Sequence, residues 1–298
     1  MRRLPSPTAP PPASVPLPLF QVDAFTDTPF AGNPAAVCLC FDEWPDDEQL
    51  QNIAAEMNLS ETAFVMDRPG RHRYDLYWFT PTREVDLCGH ATLAAAHVLW
   101  SDDGPVPPDA EITFHTRSGP LSARRLEKSH WIQLDFPAEP VRECDAPDGL
   151  VGALGAEPAF IGRNRLDLLA CFDETQTVRD LAPDFQTLKQ IDRVATERAT
   201  RRTTTRGVIA TAEAETNAGA HFVSRFFAPR AGVDEDPVTG SAHCALAPFW
   251  AERLGKKRLT GRQVSARGGT VRCAMQGDER VTLSGQAVTV LRGELALR

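Results

Sequence analysis

One stretch of turn and helix residues occurs twice in this 298-residue chain, and that repeat constrains the fold more than any other feature. Phe79-Thr80-Pro81 leads into Asp86-Leu87-Cys88-Gly89-His90-Ala91-Thr92-Leu93-Ala94. About 150 positions later, Phe227-Ala228-Pro229 leads into Asp236-Pro237-Val238-Thr239-Gly240-Ser241-Ala242-His243-Cys244-Ala245. Aligning Cys88-Gly89 with Thr239-Gly240 superimposes Ala91 on Ala242 and Ala94 on Ala245. Arg117-Ser118-Gly119 falls on Arg267-Gly268-Gly269 at nearly the same offset, and Pro45-Asp46 with Ile53 echoes Pro183-Asp184 with Ile191. An echo in polar turn residues as well as apolar ones predicts an old duplication, with two similar domains facing each other.

Local patterns fill in both halves. Phe20 to Phe25 and Ala35 to Cys40 read as strands joined by a turn at Thr26 to Pro34, where Gly32, Asn33 and Pro34 break the pattern. Asp46 to Met57 opens acidic and carries Leu50, Ile53, Ala54 and Met57 at helical spacing. Thr62 to Met66, Tyr74 to Phe79, Trp131 to Phe136, Arg206 to Ala210, His221 to Phe227 and Val281 to Leu283 are extended in character. Ala91 to Trp100 and Ala242 to Leu254 are apolar on every side, so as helices they must be surrounded. One such helix per strand-rich half predicts an α+β fold in which each half wraps a curved sheet or barrel around a central helix. Pro248 removes a backbone donor inside the second helix and predicts a local kink.

Composition excludes several classes of partner. With 42% hydrophobic residues the chain can bury two ordinary cores. A net charge of −8 lacks the basic surface that nucleic acid requires, and the run Arg198 to Arg206 reads as a solvated loop. No apolar stretch approaches the length of a membrane span. The first eighteen residues hold seven prolines and no unbroken apolar stretch, which reads as a disordered, polyproline-like extension over 1–18 rather than a secretory signal. The folded part is expected from Leu19, as domains over 19–128 and 129–298, with a last strand that crosses to the first domain. The seven scattered cysteines read as reduced thiols and point to a cytoplasmic protein.

Chemistry is expected where the repeated helices begin. A first helical turn has free N–H groups and partial positive charge, and glycine there lets a ligand approach the backbone closely. Cys88-Gly89-His90 and Thr239-Gly240-Ser241, facing across a cleft, would together hold a small anionic metabolite. Five segments then carry a family resemblance: Phe30-Ala31-Gly32-Asn33-Pro34, Asn58-Leu59-Ser60-Glu61-Thr62-Ala63-Phe64, Trp78-Phe79-Thr80-Pro81, Cys88-Gly89-His90-Ala91-Thr92 and Glu235-Asp236-Pro237-Val238-Thr239-Gly240-Ser241-Ala242. They occur in the order found in the PhzF-like family, the phenazine-biosynthesis isomerase and its relatives, similar in fold to diaminopimelate epimerase. The resemblance runs from about Phe20 to the C-terminus.

The resemblance implies a duplicated diaminopimelate epimerase-like fold, no metal and no organic cofactor, a homodimer, and isomerisation by proton transfer along a conjugated skeleton. It implies an acid/base role for Glu61, with His90, Asp236 and Ser241 lining the same pocket. Read by itself, Glu61 could be a solvated loop residue, His90 a core histidine and Asp236 an N-terminal cap. Gly89, Gly240, Thr239 and Cys88 would contact substrate; Asn33 would too, though Gly-Asn-Pro is first a turn. His97, Met57, Trp78 and Trp250 read as core, and His243 as packed within its helix. Epimerases of the related fold use one thiol at each helix start; here Cys88 faces Thr239, whose hydroxyl is too weak an acid to replace a thiolate. The expected function is cofactor-independent isomerisation of a small carboxylate-bearing metabolite. The alternatives are a one-base amino-acid epimerase and a metabolite-binding or scaffold protein without chemistry.

Overall fold

The computed structural model describes residues 16–41, 44–126, 130–191 and 205–296. The first half runs β1 Leu17–Ala24, β2 Asn33–Leu39, α1 Asp47–Met57, β3 Glu61–Asp67, β4 Arg73–Phe79, β5 Glu84–Val85, α2 Gly89–Leu99, β6 Ile112–Thr116, β7 Gly119–Arg125 and β8 Ile132–Pro137. The second runs β9 Arg142–Glu143, α3 Leu150–Leu154, β10 Phe160–Arg163, β11 Asp167–Phe172, α4 Thr175–Asp180, α5 Phe185–Leu188, β12 Gly207–Glu213, β13 Phe222–Ala228, β14 Val233–Glu235, α6 Gly240–Leu254, β15 Arg258–Gln263, β16 Gly269–Gln276, β17 Arg280–Gly285 and β18 Ala287–Leu295.

The strand pairings repeat as the sequence does. In the first half β2 and β3 are parallel, β3 and β4 antiparallel, β4 and β6 parallel, and β6, β7 and β8 form an antiparallel run. In the second half β11, β12, β13, β15, β16 and β17 reproduce those pairings in the same order. The two last members, β8 and β17, pair antiparallel with each other from Ile132↔Gly285 to Pro137↔Arg280, so the described strands form one continuous hydrogen-bonded sheet. Each half then sends a final strand onward: β9 pairs with β10, and β18 returns to pair with β1 along its whole length. Because β8 matches β17, the first repeat of pairings extends to Pro137, beyond the boundary expected at 128. The start also moves: Leu17 and Pro18 already belong to β1, so the extension expected over 1–18 cannot include them, and its residues 1–15 lie outside the described residues.

Local chemistry accounts for the elements that hold the site. Asp46 caps α1 in a reciprocal box with Gln49, Asn58 ends it in a left-handed conformation, and the chain enters β3 three residues later at Glu61. In β4 the alternating Tyr74, Leu76 and Trp78 turn inward, as their period of two requires. Helix α2 buries nine of its eleven residues against β1, β2, β3 and β8, while α6 packs on β15, β16 and β17. Both helices belong to one apolar core that spans the halves. Pro248 leaves the carbonyl of Cys244, one turn back, without a helical donor; the Glu139 backbone N–H donates to it at 3.0 Å, and the helix continues to Leu254.

Candidate active site

The starts of α2 and α6 meet. A Cβ built on Gly240 would lie 3.4 Å from the Gly89 Cα, and one on Gly89 would lie 3.5 Å from the Gly240 Cα. Two helix N-termini in van der Waals contact superimpose their partial positive charges and direct their unpaired N–H groups toward one place. That place is a cavity of about 130 Å³. Glu61, Cys88, Gly89, His90, Asp236, Thr239, Gly240 and Ser241 all line it, together with Ser60, Leu87, Phe136, Arg206 and Phe226, which the sequence did not single out.

Glu61 opens β3 and projects into this cavity. Burial is the largest influence on its carboxyl group and the negative charge of Asp236 adds to it, pushing the pKa up to about 8 against bonding from Cys88 and the charge of Arg206. Glu61 therefore keeps a proton at neutral pH. His90, in the first turn of α2, places Nε2 3.2 Å from Glu61 Oε2, off the line that a formed hydrogen bond needs. Burial lowers its pKa to about 3, so the ring is neutral. Its Nδ1 faces the Asn33 side-chain amide at 3.2 Å and the Cys88 sulfur at 3.4 Å. Nδ1 is thus set against polar neighbours behind the cavity, while Nε2 faces Glu61.

Asp236 accepts from the Thr239 hydroxyl and from Asn33 Nδ2 at 2.9 Å, yet burial dominates and raises its pKa to about 6. Cys88 is buried, and burial together with the Glu61 charge pushes its thiol well above the ordinary range. It is a neutral thiol, not the thiolate of a two-thiol racemase. Glu61, Cys88 and His90 offer an oxygen, a sulfur and a nitrogen within 4.8 Å of one another. An ion there would require Cys88 to release its proton, which its surroundings oppose.

Two expectations need correction. Asn33 does not line the cavity. Fully buried at the start of β2, it donates to Asp236, to the Val238 carbonyl at 2.8 Å and toward His90, so it braces the polar groups from behind. The run Arg198 to Arg206 is not simply solvated at its end. Arg206 donates through Nε and Nη2 to both oxygens of the buried Asp167, at 3.0 and 2.5 Å, and again to Ser241 Oγ at 2.9 Å. Arg198, Arg201 and Arg202 lie outside the described residues. The available signal for Arg206 was its position in the repeat: β3 opens at Glu61 beside Ala35 of β2, and β12 opens just after Arg206, with Gly207 beside Asp167 of β11. Trp78 and Trp250 are core, His97 and Met57 only partly buried, and His243 is fully buried with Nδ1 2.8 Å from the Thr239 carbonyl.

Residues 22–293 match the family model described as phenazine biosynthesis-like protein, PhzC-PhzF. A protein named an uncharacterized isomerase in Halalkalibacterium halodurans is 49% identical, covering 94% of this chain and 98% of its own. Another so named in Pseudomonas aeruginosa is 50% identical over 94% of this chain and 99% of its own. The crystal structure of a PhzF-family phenazine biosynthesis protein from Enterococcus faecalis superposes with a TM-score of 0.85 at 38% identity, covering 95% of this chain and all of that one. The duplicated architecture, one buried helix per half, is the diaminopimelate epimerase-like fold.

Proposed function

The chain belongs to the phenazine biosynthesis-like PhzC-PhzF family, and from that footing we propose that it is an isomerase that moves a proton on a small carboxylate-bearing metabolite. Glu61 is its acid and base, and the reaction needs no metal or organic cofactor. The observation that carries this reading is the Glu61 carboxyl, raised to about 8, set beside a neutral His90 at the junction of two helix starts.

The chemistry follows from that setting. A group with a pKa near the working pH can both take and return a proton. As carboxylate, Glu61 removes a proton from a carbon conjugated with the substrate carboxylate; the C–H electron pair moves into the adjoining double bond and spreads toward the carboxylate. The first-turn N–H groups of α2 and α6 stabilise the charge that develops. As acid, Glu61 returns the proton to another carbon of the conjugated system, so the double bond has moved and the enzyme is unchanged. His90 Nε2 faces Glu61 and bonds its carboxyl as the proton moves, and Asn33 and Thr239 hold Asp236.

Small cyclic dienoic acids incubated in deuterated water test the reading by NMR. The expected outcome is a shifted double bond with deuterium at the new C–H position. Glu61→Gln is expected to reduce the rate by 10³-fold or more with unchanged folding. Equal exchange by parent and variant would reject the role of Glu61; stereochemical inversion without a bond shift would favour the epimerase reading. The same proposal takes the protein as a cytoplasmic homodimer, for which light scattering should give twice the 32.6 kDa of one chain.

A further inference from the structure

The duplication sets unlike chemistry at nearly matched positions, since Glu61 aligns with Gly207 and Arg206 lies one residue before it. One half presents a carboxyl at the opening of β3; the other presents the Arg206 guanidinium just before β12. Arg206 is fixed as few surface arginines are. Asp167, 1% exposed, takes Nε and Nη2 in a two-point contact, and the guanidinium lies 5.2 Å from the centre of the Phe226 ring, which also lines the cavity. Asp167 itself is fixed by the Asn164 side chain, which accepts its backbone N–H at 2.7 Å.

Arg206 and Ser241 keep donors for a ligand. Asp167 offsets the formal charge of Arg206, so the pair contributes directed N–H groups more than net charge. The described bonds use Nε and Nη2 and leave the two Nη1 hydrogens uncommitted. Because Arg206 Nη2 donates to Ser241 Oγ, that oxygen acts as acceptor and its own hydrogen is free to donate. Ser241 also sits in the first turn of α6, where backbone donors have no helical partners. Glu61 and Asp236 line the same cavity, close enough together that the charge of Asp236 raises the pKa of Glu61. A ligand carboxylate placed against Asp236 would meet like charge, whereas at Arg206 and Ser241 it meets donors.

We infer that Arg206, positioned by Asp167 and acting with Ser241, is the carboxylate-recognition residue of this site. It fixes the direction of the substrate, with the carboxylate on the C-terminal half and the proton-exchanging carbon toward Glu61. The inference rests on the proposed isomerase reading for its substrate direction, but its binding test does not. Phe136 and Phe226 on the walls suit a flat, apolar body between the two ends, so the substrate class is a small planar monocarboxylic acid.

Titrating the full chain with benzoate and with its uncharged analogue benzamide, by calorimetry at pH 7, tests this directly. The parent is expected to bind benzoate at least tenfold more tightly than benzamide. Arg206→Met should abolish that preference, and Asp167→Asn should weaken it several-fold. Should Arg206→Met not fold, Ser241→Ala, which keeps the ion pair, is expected to lose several-fold in benzoate affinity alone. A parent without preference for the acid, or an Arg206→Met or Ser241→Ala variant that keeps it in full, would overturn the inference. Loss of proton exchange in Glu61→Gln is a separate readout, so failure of the isomerase reading and failure of this one are told apart.

Discussion

At the scale of single residues, the site holds its polar groups in states that water would not favour, and pH should expose this. Glu61 titrates near 8 in the folded protein against an ordinary 4.5. Between those values the folded state keeps a proton that the unfolded chain has lost, so this group's contribution to stability falls as pH rises from about 4.5 to about 8. Glu61→Gln removes the dependence. The variant should match the parent at pH 5 and exceed it at pH 8.5 by on the order of 1 kcal/mol or more, since one pKa unit corresponds to about 1.4 kcal/mol. Denaturant melts at both pH values check the sign. Asn33→Ala strips the two amide hydrogens from Asp236 and the Val238 carbonyl and removes the polar neighbour of His90 Nδ1. It should cost about 1–3 kcal/mol in the same melts. Glu61 and His90 were legible because each sits inside a short linear motif. The bracing role of Asn33 was not, since its partner Asp236 lies 203 positions away. Arg206 was hidden for a different reason: in a run of arginines nothing local marks the one whose counter-ion is buried.

At the scale of elements, an unbroken apolar circumference is a strong signal, because no amphipathic alternative competes with it. Both central helices were therefore visible in the sequence, and so were strands such as β4 that alternate cleanly. The two-residue strands β5 and β9 and the short helices α3, α4 and α5 were not: they hold too few residues for any period to show, and tertiary contacts define them. The contact between α2 and α6 depends on glycine on both sides. Gly240→Val would add branched methyl groups where even a Cβ lies 3.4 Å from the Gly89 Cα. Overpacking should lower stability by about 1–3 kcal/mol and push the helix starts apart, so carboxylate affinity should fall with it. A urea midpoint unchanged from the parent would refute this dependence on close approach.

At the scale of the whole molecule, the repeat was legible as two domains, but their fusion was not, because nothing in a single strand's sequence shows that β8 will pair with its own counterpart β17. That seam and the shared core argue for one cooperative unit. Leu93 of α2 is fully buried and reaches Gly285 of β17, where an added Cβ would come within 2.9 Å of its Cδ1. Leu93→Ala should cost about 2–5 kcal/mol and shift a single calorimetric transition, whereas two transitions moving independently would contradict a common core. The pairing of β1 with β18 carries a further consequence. Leu17 stands opposite Leu295, so the two outermost described strands finish side by side. A circular permutant that joins them through a short glycine linker, and opens the backbone between Pro137 and Arg142, would place the second repeat before the first and should still fold. The order in which the halves are translated is then incidental to the architecture, as it would be if either ancestral copy could once have led.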